Sequence, residues 1–424
     1  MSEPVRLLHF ADVHIGVENY GRTDPKTGLS SRVLDFLRRM DEMIDYARRN
    51  EVDLAIFAGD AFKSQNPNPT FQREFAFRIC DLIELCPVVL LEGNHDLPTI
   101  EARASSIEIY ETLQVPNVTL GRDYTTHIVQ TRRGPVLVAT APYPTRALLL
   151  RDVVVPPNKT IGEIDDMLAD QLHWQLDQLA AKAAEADMPR VLTGHFTVAG
   201  ATFGSERSVM LGRDVMVLLS ALSNPVWDYV ALGHIHKHQN LTQGRDGAPP
   251  VVYSGSLERI DFGEQADLKG FVWVELARGA TTWQFVRVNA RPFVTLSVDV
   301  RGSGDPTRTV LDAIARHELS EAVVRVQITA DPESDLLLVE RDIFQALKDA
   351  GANHVAVIQR QVERPARLRL GTSPEGLTPE ELLERYFQSK DVPPERIALL
   401  LDRARTLFAG HDAQRDSDSS ADSF

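Results

Sequence analysis

The 424-residue sequence predicts a layered α/β fold. Over the first two thirds, short β-rich apolar runs alternate with amphipathic helical patterns. From about Ala290 the alternation restarts as a unit of about 75 residues, the size of a small second domain. A third observation concerns where the strands stop: five of them finish in Asp, Asn or His, mostly with Gly just before.

The elements follow in order. Val5–Phe10, Asp53–Ala58, Val88–Leu91, Val136–Ala141, Val191–Thr193 and Tyr229–Leu232 are predicted strands. Leu34–Arg49, Thr70–Leu85, Ala102–Leu113 and Ile164–Ala186 are the helices between them. Val251–Ser254, Gly270–Leu276 and Trp283–Val288 follow without intervening helices, which predicts antiparallel pairing there. Next come strand Phe293–Val300, helix Thr307–His317, strand Ala322–Ile328, helix Asp335–Ala350 and strand His354–Arg360. Thr378-Pro379-Glu380-Glu381 is a capping box, followed by an apolar stripe of Leu382, Leu383, Tyr386 and Phe387. Pro393-Pro394 opens a second helix carrying Ile397, Leu400, Leu401, Ala404, Leu407 and Phe408, and Gly410 closes it. The acidic tail 411–424 is predicted to be disordered.

Composition bounds the function. At 43% hydrophobic, the chain can bury a large core. With 45 Lys+Arg against 60 Asp+Glu, its net charge is -15, which argues against a generic nucleic-acid coat but permits a local metal-bearing DNA site. Cys80 and Cys86 do not form a CxxC pair and fit reduced packing residues. No signal peptide and no apolar run of about 18 residues is present, so a soluble cytoplasmic chain is expected.

The strand ends carry the chemistry. They are "HFADVHIG" (Asp12, His14), "FAGDAF" (Asp60), "VVLLEGNHDLP" (Asn94, His95, Asp96), "LTGHF" (His195) and "ALGHIH" (His234, His236). On an extended segment, residues two apart point the same way, so Asp12 with His14, and His234 with His236, can reach one ion. In layered α/β folds ligands bind at the carboxyl ends of strands. Any one motif alone is a common turn or cap, but five in series point to one site. Asp12, His14, Asp60, Asn94, His195, His234 and His236 supply oxygen and nitrogen donors without a thiolate. Seven donors suit two ions sharing a carboxylate, and the mixed set favours Mn, Fe or Zn over Ca, and less typically Mg alone. His9, His127, His173, His238, His317, His354 and His411 lack this setting.

These motifs resemble the calcineurin-like metallophosphoesterases, and "YSGSLERIDFGE" (Tyr253–Glu264) extends the likeness to the SbcD-type nuclease subunits of double-strand-break repair complexes. The resemblance covers all but the tail. It implies a four-layer αββα sandwich with a small α/β capping domain and a C-terminal helical pair. The expected boundaries are 1–288 for the nuclease domain, 289–365 for the DNA-orienting cap, 366–410 for a linker and helix pair, and 411–424 for the tail. It implies one metal on Asp12, His14, Asp60 and His236, and a second on Asp60, Asn94, His195 and His234. Manganese is the expected metal, with Fe, Zn or Mg as others.

In this resemblance His95 matches the catalytic histidine, while Asp96 either supports the site from behind its ligands or N-caps a helix. The implied activity is a DNA exonuclease and endonuclease at double- and single-stranded ends, partnered by an SbcC-type coiled-coil ATPase through Leu383, Phe387, Ile397, Leu400, Leu401 and Leu407. A homodimer is also implied, through helices near Thr70–Leu85 and Ala102–Leu113, with Phe71, Phe75, Ile107 and Tyr110 as candidate contacts that core packing explains as well. The chain departs from many relatives at Lys63, where they place a histidine, so no substrate-positioning histidine is carried over. No basic stripe is evident; Arg22, Lys26, Arg32, Arg360, Arg364, Arg367 and Arg369 are scattered candidates for DNA contact that ordinary solvation explains as well, and none is assigned to the site. The other readings are a small-molecule phosphodiesterase or phosphatase of the same superfamily, and a scaffold that only binds DNA ends.

Overall fold

The computed structural model describes residues 3–98, 103–154, 156, 158–204, 215–363, 377–388, 390 and 392–405. The first strands are β1 (Val5–Phe10), β2 (Leu54–Phe57), β3 (Val88–Leu91), β4 (Val118–Gly121), β5 (Thr125–Thr131) and β6 (Gly134–Ala141). Then follow β7 (Arg190–His195), β8 (Thr197–Val198), β9 (Met216–Val217), β10 (Tyr229–Gly233), β11 (Gln239–Asn240) and β12 (Val251–Tyr253). The last are β13 (Gly270–Leu276), β14 (Thr282–Arg287), β15 (Phe293–Asp299), β16 (Val323–Ala330) and β17 (His354–Val362).

The chain divides into two compact units, one of Met1–Val298, Thr307–Ile328 and Val339–Gln359, the other of Asp299–Pro306, Thr329–Leu338 and Arg360–Phe424. In the first, one six-stranded sheet runs β14-β13-β1-β2-β3-β4 and a second runs β11-β12-β10-β7-β6-β5. Alternation along each strand assigns its two faces. Leu7, Leu54, Ile56, Val89 and Val272 meet Val136, Val138, Val191, Tyr229 and Val252 between the sheets. On the outer face, Leu8, Phe10, Ala55 and Phe57 pack under helices α1 (Ser31–Arg49) and α2 (Pro69–Ile83) through Met40, Ile44, Phe75 and Ile79. Leu168, Leu172 and Leu176 of helix Ile161–Ala184 cover Leu137, Leu192 and Val230 on the other side. The result is the helix–sheet–sheet–helix order expected from the resemblance. Strands β15, β16 and β17 form a separate three-stranded sheet in that order.

Several expectations are corrected. Ala102–Leu113 is not one helix: among its described residues only Ile109–Thr112 is helical. Ser105 instead turns its N–H to the Glu108 carboxylate and its hydroxyl to Glu92, a local alternative to the helix ladder. Asp335–Ala350 breaks at Leu338 and Val339, both extended, with the Val339 N–H donating to Thr307 Oγ1 at 2.9 Å. Strand β12 is parallel to β10, not antiparallel, while β13 is antiparallel to both β1 and β14. The helix expected at Ile164 starts at Ile161 because Thr160 and Glu163 form a capping box.

Arg32 is not a cation available to DNA. Its side chain is fully buried, 2.8 Å from Asp35 and 3.8 Å from Glu258, and Arg291 grips the same Asp35 at 2.6 and 2.7 Å. Removing one partner from such a network would cost about 3–5 kcal/mol by leaving a charge buried and uncompensated. Phe75, Ile107 and Tyr110 are core residues, which removes them from a dimer surface; Phe71 is half-buried. Among the described residues of 70–85 and 102–113, Phe77, Ile109 and Leu113 are exposed large apolar side chains.

In the second unit, Asp331 caps helix Pro332–Leu337 and accepts from the Gly302 N–H, while Arg301 pairs with Asp299 and Glu363 at 2.6 Å each. The capping box at Thr378 forms as expected: its hydroxyl accepts from the Glu381 N–H and the Glu381 carboxylate accepts from the Thr378 N–H. Helix Pro379–Gln388 and a helical run over 394–405 follow, joined by an Arg405–Glu380 ion pair at 2.6 Å. Leu407, Arg364, Arg367, Arg369, linker residues 366–376 and the tail 411–424 lie outside the described residues. Among those described, no helix is long and apolar enough to cross a membrane, and both cysteines are free.

Candidate metal centre

The five strand ends converge. Strands β1, β2 and β3 lie side by side in one sheet, and β7 and β10 in the other, so their carboxyl-terminal loops meet at one edge of the sandwich. The loop after β1 is strapped to the loop after β2. Asp12 N–H donates to Gly59 O at 3.0 Å, and Val13 and His14 N–H donate to Asp60 O at 2.9 and 3.1 Å.

Asp12 and His14 are not extended, contrary to the spacing argument. Their φ values are 53° and 50°, and Asp60 and His234 also lie in the left-handed region at 64° and 95°. Such conformations cost about 1–3 kcal/mol each and persist where the surroundings over-determine them. Here the carboxylates enforce the loops. Asp12 accepts from the His234 N–H at 2.9 Å, and Asp60 Oδ1 from the His95 N–H at 2.8 Å. Gly93 is obligatory in this packing, since a Cβ there would stand 2.5 Å from the Asp60 backbone nitrogen.

Three groups of donors have their atoms within 4.8 Å of one another: Asp12, His14 and His236; Asp60, His195 and His234; and, sharing members with both, His14, Asp60 and His95. Asp60 reaches the first two sets, with Oδ2 at 3.7 Å from His14 Nε2 and 3.4 Å from His195 Nε2. Asn94 Oδ1 lies 3.0 Å from His195 Nε2 and 2.9 Å from His234 Nδ1. All seven expected ligands are therefore together. His95 stands beside them, its ring edge-on to His14 at 4.9 Å and its Nδ1 2.8 Å from Lys63 O.

Hydrogen bonding decides which nitrogens can ligate. His195 Nδ1 donates to Ala58 O at 2.7 Å, and His236 Nδ1 to Glu264 Oε1 at 2.8 Å. In neutral rings both Nε2 atoms then present lone pairs. One faces Asn94 Oδ1 and the other lies 3.0 Å from His14 Nε2. Lone pairs in opposition need a proton or a cation between them, and this soft-nitrogen, hard-oxygen set fits divalent ions.

The charges agree. Burial alone would raise Asp60, but the flanking imidazoles, His195 foremost, hold it well below the carboxylate range. Burial pushes Asp12 up despite His236 and His195, and drives His14 well below its usual value. Burial would also lower His195, yet the adjacent Asp60 charge raises it to about 9. These are buried groups whose protonation is set by one another, the setting in which bound cations dominate.

Asp96 does not cap a helix. Its carboxylate accepts from the Asp60, Ala61 and Gly93 N–H groups at 2.9, 3.0 and 3.1 Å, locking the loops that carry Asp60 and Asn94. Three participants were missed in the sequence. Tyr143 lays its ring 5.7 Å from His234 and 6.3 Å from His195, with no motif to announce it. Glu264 and Lys269 form a buried pair behind His236, and only the unassigned acidic end of Tyr253–Glu264 hinted at them. Among the described residues, His9, His127, His173, His238, His317 and His354 fall outside these clusters; His411 is not described.

Residues 5–238, more than half of the chain, match the calcineurin-like phosphoesterase family. The chain belongs to the calcineurin-like phosphoesterases. Among proteins similar to this phosphoesterase is the SbcD component of the nuclease SbcCD of Bacillus subtilis (strain 168), 28% identical over 303 residues, or 68% of this chain and 71% of the relative. The corresponding SbcCD component of Rhodobacter capsulatus is 27% identical over 335 residues, 75% of this chain and 77% of its own. The DNA double-strand break repair protein Mre11 of Archaeoglobus fulgidus is 24% identical over 383 residues, 85% of this chain and 74% of its own.

Proposed function

We propose that this phosphoesterase is a two-metal DNA nuclease, cutting as exonuclease and endonuclease at DNA ends, and the nuclease subunit of a cytoplasmic SbcCD-type repair complex. The observation that supports it most is the Asp60 carboxylate, which stands within 3.7 Å of ring nitrogens from both donor sets. One ion would sit on Asp12, His14, Asp60 and His236, the other on Asp60, Asn94, His195 and His234. Manganese suits the mixed imidazole and carboxylate set. When bound, such a pair supplies an activated water and neutralises charge during in-line displacement at phosphorus.

The chain's own residues hold the rest. Asp96 fixes the loops, Asn94 contributes a neutral oxygen that limits negative charge, and the Lys63 carbonyl holds the proton of His95 on Nδ1. With a second proton on Nε2, the doubly protonated ring can give that proton to the leaving oxygen, returning to the neutral Nδ1–H form, or stabilise negative charge on the phosphoryl group. The test is cleavage of labelled linear DNA with Mn, Mg or EDTA, beside a small aryl phosphodiester. Metal-dependent loss of DNA is the expected result. Hydrolysis of the small diester alone would move the chain to a small-molecule phosphodiesterase or phosphatase.

Residues 289–365 serve in this reading as the cap that orients DNA, and 366–410 as the linker and docking segment for the coiled-coil ATPase. The helix pair supports this: none of Pro379–Gln388 is buried, Leu383, Phe387, Leu400 and Leu401 are half-buried, and Leu399 is 66% exposed. Ile397, at 7%, is already buried, which removes it from the docking face. Leu400→Asp should abolish co-purification with the ATPase while leaving the metal-dependent nuclease intact; undiminished co-purification would contradict the assignment. Homodimerisation would use the exposed Phe77, Ile109 and Leu113. Sedimentation should show a dimer at micromolar concentration, shifted to monomer by Leu113→Asp, and a wild-type monomer would reject it.

A further inference from the structure

His236 is held differently from His195. His195 directs Nδ1 at a main-chain carbonyl, whereas His236 Nδ1 lies 2.8 Å from Oε1 of the Glu264 carboxylate. Glu264 is fully buried. Its second oxygen takes the Ile260 N–H at 3.0 Å and pairs with the equally buried Lys269 ammonium at 2.8 Å. Lys269 turns back to the same histidine, donating to the His236 carbonyl at 3.1 Å and to Ser256 Oγ at 2.9 Å. The Ser256 N–H also donates to that carbonyl at 3.1 Å. Gly255 makes the close turn possible: its φ is +74°, and a Cβ there would meet the His236 carbonyl oxygen at 2.8 Å.

One buried ion pair thus grips residue 236 by its ring and by its main chain. Packing does not account for it, because apolar residues of similar volume are often as stabilising as a buried pair, or more so. Its geometry does. A carboxylate accepting from Nδ1–H selects one tautomer, turns the Nε2 lone pair toward the cluster and makes that nitrogen more basic.

We propose that Glu264 and Lys269 are positioning residues that fix His236 as the Nδ1–H tautomer and make the Asp12–His14–His236 site the tighter of the two metal sites. The inference rests on the two-metal reading above. It assigns the acidic end of Tyr253–Glu264 a task inside the centre, and it distinguishes His236 from His195, which has a neutral carbonyl behind its ring.

The test is titration of metal-free protein with Mn, following free ion by electron paramagnetic resonance. Wild type should bind two ions in two steps of different affinity. The double variant Glu264→Gln with Lys269→Met leaves no unpaired buried charge. It should weaken the tighter step about 10–100-fold and leave the weaker one in place, with the metal-free melting temperature not lowered. A tighter step of wild-type affinity in that variant would overturn the inference while the two-metal reading stands. Wild type binding no ion would overturn both. A second measurement needs no variant: nitrogen-15 spectra of metal-free wild type, taken at a pH where the ring is neutral, should show the Nδ1–H tautomer of His236, and a mixture of tautomers would overturn the assignment.

Discussion

Asp60→Asn should strip the centre. The variant keeps the side-chain volume but loses a carboxylate that lies 3.7 Å from His14 and 3.4 Å from His195. Elemental analysis should find at most one ion per chain in place of two. A lost metal pair removes several kcal/mol of transition-state charge stabilisation, so DNA cleavage should fall by about 10³-fold or more. Asp60 also accepts from the His95 N–H, so the loop carrying Asn94 should loosen as well. A variant with two tightly bound ions and more than about a tenth of wild-type cleavage would refute the shared-carboxylate arrangement.

His95→Ala should separate holding metal from using it. The ring is half-buried and tied through Nδ1 to Lys63 O, and its backbone rather than its side chain contacts Asp60. Its removal should leave both ions bound and lower kcat by about 10²–10⁴-fold, the usual contribution of a positioned proton-transfer group. His95 also lies within 4.8 Å of donors on His14 and Asp60, close enough to ligate. Loss of an ion in His95→Ala would therefore make it a ligand and leave the proton-transfer role to another group.

Much of the site was legible because its chemistry sits where strands stop. Gly93 and Gly233 precede ligands and admit close backbone approach, so motif and geometry share one cause. The Asp12–His14 pair is nevertheless brought together by left-handed turns and not by an extended strand. Lys269 and the task of Glu264 escaped notice, and Arg32 was read as a surface cation, because a charged residue reads as solvent-facing until its buried partner is known. The same ambiguity misplaced Phe75, Ile107 and Tyr110, since an apolar residue on a helix looks alike whether it meets a core or a partner. Strand β5 was overlooked for a related reason. It is an edge strand, Thr125–Thr131, whose Thr, His and Gln residues dilute the apolar signal.

The two-ion centre is tested most directly by anomalous scattering from crystals soaked in Mn. Two peaks should flank the Asp60 carboxylate, one among Asp12, His14 and His236 and the other among Asn94, His195 and His234. A single peak, or density away from Asp60, would contradict the account.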